Sequence, residues 1–330
     1  MKTTIEKRTS SSVKGIFLGF ISASLLLGSC RKEAVLNTGS DPLTSKNNAT
    51  TSATTDPKTG FLYGNGVNLQ PSYYNNGNVN FGWSLMKSYT KIKTVRIEVE
   101  PDKVSQARSW IQQAKSNGYA VIVTYHKSAV LGSDNTAELT AAANWWKANY
   151  SQLDDFGSIT VNLMNEWGSH NITSNAFASA YNNAISIVRQ VYSGAIIVDI
   201  PGWGQETRTA ADAVKGTNGT KINDVNIILS THIYPGAWNQ GRNRVLQNAD
   251  LDEMGSAGRP CMVGEFGSGS GSANWSGLTS YAKSKGWTVL GWAWNGDGGS
   301  LNMVSPSWAS NPSATSFSTS SYFSSIYNLL

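Results

Sequence analysis

Cysteine, histidine and charged residues are all scarce in this sequence of 330 residues. Only Cys30 and Cys261 are present, which excludes a small scaffold stapled by several disulfides. Charged residues make up 14% of the chain, and the formal net charge is +5. Residues 1–29 hold four basic residues and one acid, which accounts for +3 and leaves the rest of the chain near +2. So small a positive charge argues against a nucleic-acid partner.

Long apolar runs are missing too, and the run near the N-terminus is too short to cross a membrane. Basic residues precede "GIFLGFISASLLLGSC", whose apolar part is about 13 residues against the roughly 20 that a spanning helix needs. This order of segments predicts a secretory signal peptide over residues 1–29. Leu27-Gly28-Ser29-Cys30 is similar to a bacterial lipobox, which implies lipid on Cys30 and anchoring to the outer membrane or cell surface. Cys261 would then have no disulfide partner within the chain.

Residues 30–60 contain few large apolar side chains. After Cys30 they are rich in Ser, Thr and Asn, a composition that predicts a disordered tether. We therefore expect the folded domain over residues 61–330. About 270 residues suit one α/β barrel, and neither a linker nor an internal repeat divides them. A monomer is the default expectation.

Eight short runs of β-branched and apolar residues recur along this domain, and helical patterns lie between them. Residues 101–118 form one such helical pattern and residues 173–194 another. Strand and helix alternating eight times predicts a (β/α)8 barrel, an α/β fold. A doubly wound open sheet is the competing interpretation, but no glycine-rich phosphate loop follows the first strand. The predicted strands cover 62–68, 93–99, 119–126, 158–166, 195–200, 225–234, 260–266 and 288–296.

Polar and aromatic residues cluster at the C-terminal ends of these predicted strands, where a barrel places its active site. Two of the three histidines fall there, while His170 lies in a loop and has the pattern of a surface histidine. Arg96 lies within the second predicted strand. The residues at or just past the strand ends are His126, Asn165, Glu166, Trp167, Trp203, Gln205, His232, Tyr234, Glu265, Trp292 and Trp294.

Glu166 and Glu265 end the fourth and seventh predicted strands, on opposite sides of the barrel mouth. Glycoside hydrolysis uses two such carboxylates without a cofactor: one protonates the leaving oxygen, and the other attacks the anomeric carbon or activates water. Partial desolvation beside Trp167 suits Glu166 to the acid role. Glu265 needs hydrogen-bond donors to stay ionised, and Arg96 and Tyr234 are the candidates.

The remaining strand-end residues suit a site for a β-linked polysaccharide. His126 and His232 are placed to orient a carboxylate or to bind substrate hydroxyls, and Asn165 to bind the sugar 2-hydroxyl. Indoles stack on the apolar faces of sugar rings, which makes candidate platforms of Trp167, Trp203, Trp238, Trp292 and Trp294. Tryptophans in the predicted helices, at 110, 145 and 146, are instead expected in the core.

Other chemistries fit the sequence less well. Two histidines and a glutamate are metal-ligand types, but each lies on a different strand and no H-E-x-x-H spacing occurs, so no metal site is predicted. A serine nucleophile would require a strand-to-helix elbow, whereas "GSGSGS" at 267–272 reads as a loop. A surface glycan-binding lipoprotein without catalysis is the alternative from another class, and the presence of both glutamates weighs against it.

The motifs "VNLMNEWG", "IIVDIPGWGQE", "STHIY", "MVGEFG" and "LGWAWNGDGG" resemble glycoside hydrolase family 5, in its bacterial endo-β-1,4-mannanase branch. The resemblance spans about residues 62–304 and implies a retaining (β/α)8 enzyme with Glu166 as acid/base and Glu265 as nucleophile. Arg96, His126, Asn165, His232, Tyr234 and Trp292 match its other active-site positions, and Trp203 and Gln205 fall in the mannanase-like motif after the fifth strand.

Two segments depart from that pattern. "VTYHKS" at 123–128 lacks the acidic residue that usually follows the histidine, which leaves the support of His126 undefined. "PSYYNNGN" at 71–78 matches no family motif. Both leave the sugar preference open between mannan and a β-glucan such as cellulose.

Overall fold

The computed structural model describes residues 54–55 and 62–330. The predicted signal peptide and the lipidation site at Cys30 lie outside these residues, as does most of the predicted tether. Within the tether, Thr54–Thr55 pairs with Leu62–Tyr63 as a two-stranded antiparallel ribbon. Among the helices of the described part, none has the length and apolar composition needed to cross a membrane.

Eight parallel strands close into a barrel, which confirms the predicted (β/α)8 fold. Each strand pairs with its neighbour in sequence, and the last pairs with the first. The strands are β1 (Gly66–Leu69), β2 (Thr94–Val99), β3 (Ala120–Tyr125), β4 (Thr160–Asn162), β5 (Ile196–Asp199), β6 (Ile227–Ile233), β7 (Cys261–Phe266) and β8 (Val289–Asn295).

Helices connect successive strands around the outside, as right-handed parallel crossovers require. The connection after β5 begins with a short helical turn, Pro201–Gly204. The helices are α1 (Trp83–Lys87), α2 (Val104–Ser116), α3 (Thr136–Leu153), α4 (Ser174–Val188), α5 (Thr207–Lys215), α6 (Asn248–Gly255), α7 (Trp275–Ser284) and α8 (Phe323–Tyr327). Thr173 caps α4 by accepting from Ala176 N at 3.2 Å, at the start that the sequence predicted.

The barrel interior has an apolar layer and a polar layer. A separate buried cluster contains Ile122, Ile197, Ile228, Met262 and Leu290. Because side chains alternate along a strand, residues two positions further on point to the same interior and lie nearer the C-terminal ends. Four of those positions carry the polar or aromatic residues Thr124, Asp199, Ser230 and Trp292, and the fifth is Gly264. The polar residues of the barrel mouth therefore lie directly above an apolar layer.

Two predicted strand boundaries differ from the structure by more than two residues. The first barrel strand begins at Gly66 rather than at residue 62, because Leu62–Tyr63 belongs to the antiparallel ribbon. The fourth ends at Asn162, so Glu166 lies beyond the regular strand, with φ at +48°. A left-handed backbone at a non-glycine residue is strained, and such strain concentrates at functional sites.

Candidate active site

Arg96 on β2 is the centre of the polar layer and is fully buried. Its Nη1 donates to Glu265 Oε1 at 2.9 Å and to Glu98 Oε1 at 3.0 Å. Its Nη2 donates to Asn165 Oδ1 and lies 3.4 Å from Asp199 Oδ2. One guanidinium therefore organises acceptors from β2, β5, β7 and the segment after β4.

Glu265, at the end of β7, accepts the two hydrogen bonds that the sequence predicted for it. Arg96 binds Oε1, and the Tyr234 hydroxyl donates to Oε2 at 2.8 Å. Burial raises the pKa of Glu265 to about 7, while His232 and Arg96 pull it down and Glu98 pushes it up. The donors thus offset only part of the desolvation that disfavours the carboxylate.

Glu166 faces Glu265 across the barrel mouth. One oxygen of each carboxylate lies within 4.8 Å of the other and of a ring nitrogen of His232. Glu166 Oε1 is 2.7 Å from His232 Nδ1. Its backbone is held on both sides, since its N–H donates to Asp199 Oδ2 at 3.2 Å and its carbonyl accepts from Gly132 N at 2.8 Å. The loop after β3 thereby helps to fix the strained residue.

His232 lies between acidic groups and is buried. Nδ1 is 3.5 Å from Glu265 Oε1, and Nε2 is 3.5 Å from Asp199 Oδ2. Burial alone would lower the pKa of His232, but Glu265 and Asp199 raise it well above the ordinary value. Burial likewise opposes ionisation of Asp199, yet His232 and Arg96 lower its pKa to about 2. Asp199 is therefore ionised at neutral pH, in contact with Arg96 and His232.

His126 does have acidic support, although not from the residue that follows it. Its Nε2 is 3.4 Å from Glu98 Oε2, and its Nδ1 is 3.5 Å from Glu100 Oε1. The Tyr73 hydroxyl lies 2.6 Å from Nδ1 and also donates to Glu100. Two glutamates from β2 and the following residue thus replace the missing acid of the "VTYHKS" segment.

Tyr73, in the segment without a family motif, is a site residue that sequence reasoning missed. Its side chain is 41% exposed although its hydroxyl is held by His126 and Glu100. A partly exposed aromatic ring whose hydroxyl is held in place is a candidate low-entropy contact for a sugar ring. Asn68, Glu98 and Asp199, which lie within runs predicted as strand, were also missed.

Two of the predicted tryptophan platforms are placed at the mouth. Trp292 Nε1 donates to Asp297 Oδ1 at 3.0 Å, which fixes the indole at the end of β8. Trp203 lies 5.3 Å from the ring of His170 and covers Gly132. A Cβ at Gly132, where φ is +68°, would lie 2.2 Å from the indole, so a larger residue there would displace Trp203.

Two other predicted tryptophan platforms need correction. Trp167 and Trp294 are each 0% exposed, and their Nε1 atoms donate to the backbone carbonyls of Asn135 and Phe81. Both indoles are core residues and are not sugar platforms. Gln205, predicted to support the site or to bind substrate, is wholly buried. The turn at Glu166 sends Trp167 outward onto α4.

His170 is half-buried, and its Nδ1 lies 2.7 Å from Glu206 Oε1. Glu206 also accepts from the backbone N–H groups of Gln240 and Gly241. The pair therefore joins the loops after β4, β5 and β6 beneath Trp203.

Glu166, His232 and Glu265 are the described acidic and histidine groups closest to a metal-ligand arrangement. Each of the three has protein partners already, and Arg96 touches Glu265 directly. A cation placed there would be repelled by the guanidinium, so these residues do not fit a metal site.

A closed parallel barrel with two glutamates facing each other at its mouth defines a (β/α)8 glycoside hydrolase. The family described as Cellulase (glycosyl hydrolase family 5) matches residues 75–298. The chain therefore belongs to glycosyl hydrolase family 5, as its motifs indicated.

Among known proteins, the chain is 28% identical over 208 residues to the mannan endo-1,4-beta-mannosidase of Streptomyces lividans, covering 61% of this chain and 52% of that protein. It is 28% identical over 224 residues to beta-mannanase/endoglucanase A of Caldicellulosiruptor saccharolyticus, covering 63% and 16%. The chain thus spans about half or less of these relatives. The catalytic domain of a mannanase from Streptomyces sp. SirexAA-E has the same fold, with a TM-score of 0.65 at 20% identity over 91% of this chain and 95% of that one.

Proposed function

We propose that this protein is an endo-acting β-1,4-mannanase that hydrolyses mannan-type polysaccharides with retention of configuration. The observation that carries the proposal is the approach of the Glu166 and Glu265 carboxylate oxygens to within 4.8 Å. Retaining glycosidases hold their carboxyl groups roughly 5–5.5 Å apart, whereas inverting enzymes need a wider gap for a water molecule.

In the first step, Glu265 attacks the anomeric carbon and the glycosidic C–O bond breaks. Glu166 donates its proton to the leaving oxygen, so one sugar chain departs as an alcohol and the other is bound to Glu265 as an ester. Arg96 and Tyr234 hold the two oxygens of Glu265 in place for this attack. They also limit the rotation of the carboxylate, which aligns it with the anomeric carbon.

In the second step, Glu166 removes a proton from water as the water oxygen attacks the anomeric carbon, and Glu265 leaves as a carboxylate. The hydrogen bond to His232 keeps Glu166 aimed into the mouth during both proton transfers. Two displacements at one carbon restore the original β configuration.

Mannan is favoured as substrate because the curated relatives in Streptomyces lividans and Caldicellulosiruptor saccharolyticus both carry mannanase names. The second of these names also includes endoglucanase, and that observation keeps endo-β-1,4-glucanase activity as the second candidate. The two substrates differ at the 2-hydroxyl, which is axial in mannose and equatorial in glucose. Reducing-sugar release from glucomannan, galactomannan and carboxymethylcellulose separates them, and activity on cellulose alone would refute the mannanase proposal.

The configuration of the first product tests the mechanism. We expect the earliest product from mannohexaose to be the β-anomer, because two displacements at the anomeric carbon retain configuration. Proton NMR of the reaction, recorded before mutarotation, measures this directly. An early α-anomer would mean inversion and would contradict a nucleophilic Glu265. If no product forms, mannan is not a substrate.

Export and lipid anchoring form a second part of the proposal, supported by the basic and apolar segments before Cys30 and by its lipobox-like surroundings. We expect the protein to take up labelled fatty acid in a bacterial host and to partition with membranes. Cys30→Ser should abolish the label, whereas Cys261→Ser, at a buried thiol, should retain it. Equal labelling of the two variants would contradict lipidation at Cys30.

A further inference from the structure

Glu98 on β2 is fully buried in the wall of the active site, yet the two reaction steps give it no role. Its Oε1 lies 3.0 Å from Arg96 Nη1. The same Nη1 lies 2.9 Å from Glu265 Oε1. Two carboxylates therefore share one nitrogen of a single guanidinium. The interaction of Arg96 with Glu98 weakens the stabilisation that Arg96 gives to the Glu265 carboxylate.

The second oxygen of Glu98 is also held. Gln70 Nε2 donates to Oε2 at 2.6 Å, and His126 Nε2 lies 3.4 Å from it. Because neutral and cationic donors hold both oxygens, Glu98 is fixed in a position to compete with Glu265.

Acids outnumber cations around Glu265. Asn68 on β1 and Gln70 just after it are neutral amides, and Tyr73 in the following loop binds His126 and Glu100. Every one of β2 to β7 or its following loop contributes an ionisable group. These groups are Arg96, Glu98 and Glu100 from β2 and the residue after it, His126 after β3, Glu166 after β4, Asp199 on β5, His232 and Tyr234 from β6 and the residue after it, and Glu265 itself on β7. Asp297, after β8, is held by Trp292 and by two backbone N–H groups. Because few cations are available, the negative charge of Glu98 next to Arg96 disfavours ionisation of Glu265.

We propose that Glu98 is a positioning residue that shares Arg96 with the nucleophile and so sets the pH below which the enzyme loses activity. This inference rests on the proposed function, in which Glu265 must be a carboxylate to attack. Burial is the larger cause of the raised pKa of Glu265, and Glu98 adds to it. Removing the charge of Glu98 leaves more of Arg96 to Glu265, so the carboxylate should form at a lower pH.

Glu98→Gln tests this inference, because glutamine has the same size and its carbonyl oxygen still accepts from Arg96. We expect the low-pH side of the kcat/KM profile on mannohexaose to move down by about one pH unit. On that side of the profile, activity relative to the optimum should rise about 10-fold, since one pH unit is a tenfold change in the ionised fraction.

Two control variants bracket the result. Glu100→Gln removes a carboxylate that pairs with His126 and Tyr73, and the low-pH side should stay in place. Tyr234→Phe removes a donor to Glu265 itself, which should move the low-pH side upward and show that it reports on this carboxylate. If Glu98→Gln lowers only the Tm and leaves the pH dependence of kcat/KM unchanged, Glu98 has a structural role and the inference is refuted. An equal shift in Glu100→Gln would also overturn the inference, because the effect would then be a general one of charge.

Carbon-13 NMR of labelled glutamate carboxyls gives a readout that needs no activity. The Glu265 resonance, assigned with Glu265→Gln, should titrate at lower pH in Glu98→Gln than in the parent protein. If the protein hydrolyses no β-glycan, the proposed function fails while this titration still decides the role of Glu98. If Glu98→Gln does not fold, the parent alone is informative: a Glu265 midpoint at or below the ordinary glutamate value would refute the competition for Arg96.

Discussion

Glu265→Ala is expected to lower kcat on mannan oligosaccharides by at least about 10⁴-fold, because no other group is placed to form the ester with the anomeric carbon. Arg96 keeps Glu98 and Asp199 as partners in this variant, so the guanidinium is not left without an acceptor and the barrel should still fold. Affinity for substrate should change little, since the lost interaction matters mainly in the transition state. Isothermal titration with mannohexaose and steady-state kinetics measure the two quantities separately.

Azide gives the sharper form of this experiment. In Glu265→Ala the small anion fits the space left by the carboxylate and attacks the anomeric carbon from that side, so an aryl β-mannobioside with a good leaving group should yield an α-glycosyl azide. Glu265→Gln is the matched control, because it keeps the shape of the side chain and leaves no room for azide. Turnover near the parent rate in Glu265→Ala, or a β-azide, would show that another group is the nucleophile.

Glu166→Ala should show the largest loss where the leaving group is poor. On mannohexaose, we expect kcat/KM to fall about 10²- to 10⁴-fold, because the departing oxygen no longer receives a proton. With a dinitrophenyl leaving group, which needs no proton, the first step should keep nearly its parent rate. The slowed second step should then produce a burst of dinitrophenolate followed by a slow phase.

The burst phase in stopped-flow absorbance checks this prediction, and azide should rescue the second step with a β-glycosyl azide as product. Glu253→Ala is a suitable control, because Glu253 lies on α6 and forms a surface pair with Arg242. Its loss should leave activity within about twofold of the parent. Equal losses in Glu166→Ala for good and poor leaving groups would contradict the acid role of Glu166.

Much of the site was predictable from the sequence, because the barrel fold brings residues that are far apart in the chain to one face. In a barrel of parallel strands, all C-terminal ends meet at one face, so Arg96 and Glu265 come within 2.9 Å although they are 169 positions apart. The prediction that Arg96 and Tyr234 donate to Glu265 is confirmed for the same reason.

Residues inside the strands were harder to recognise. Glu98 lies two positions after Arg96 in "VRIEVE", and that alternation does indicate a shared interior face. Arg96 was selected from this run and Glu98 was overlooked, although Glu98 lies nearer the C-terminal end of β2. Tyr73 was harder to predict, because a tyrosine in a loop belongs to no periodic pattern. Only its contacts with His126 and Glu100 in the structure place it at the mouth.

The two misplaced tryptophans show where strand-end reasoning fails. Trp167 follows Glu166, whose left-handed backbone turns the next side chain away from the mouth and against Phe177. Trp294 was expected to be a sugar platform like Trp292, but the pairing of β8 with β1 is irregular between Gly291 and Asn295. Regular alternation does not survive such an irregularity, so Trp294 packs in the core.

The sequence alone determined the barrel, the two opposed glutamates and the family, because periodicity and the order of motifs are properties of the residue order itself. Tertiary structure decided which indoles line the mouth and which acids share Arg96. It also decided how far burial raises the pKa of Glu265, to about 7. These depend on distances of a few ångströms between strands far apart in the chain, and electrostatic interaction in a buried site changes steeply over such distances.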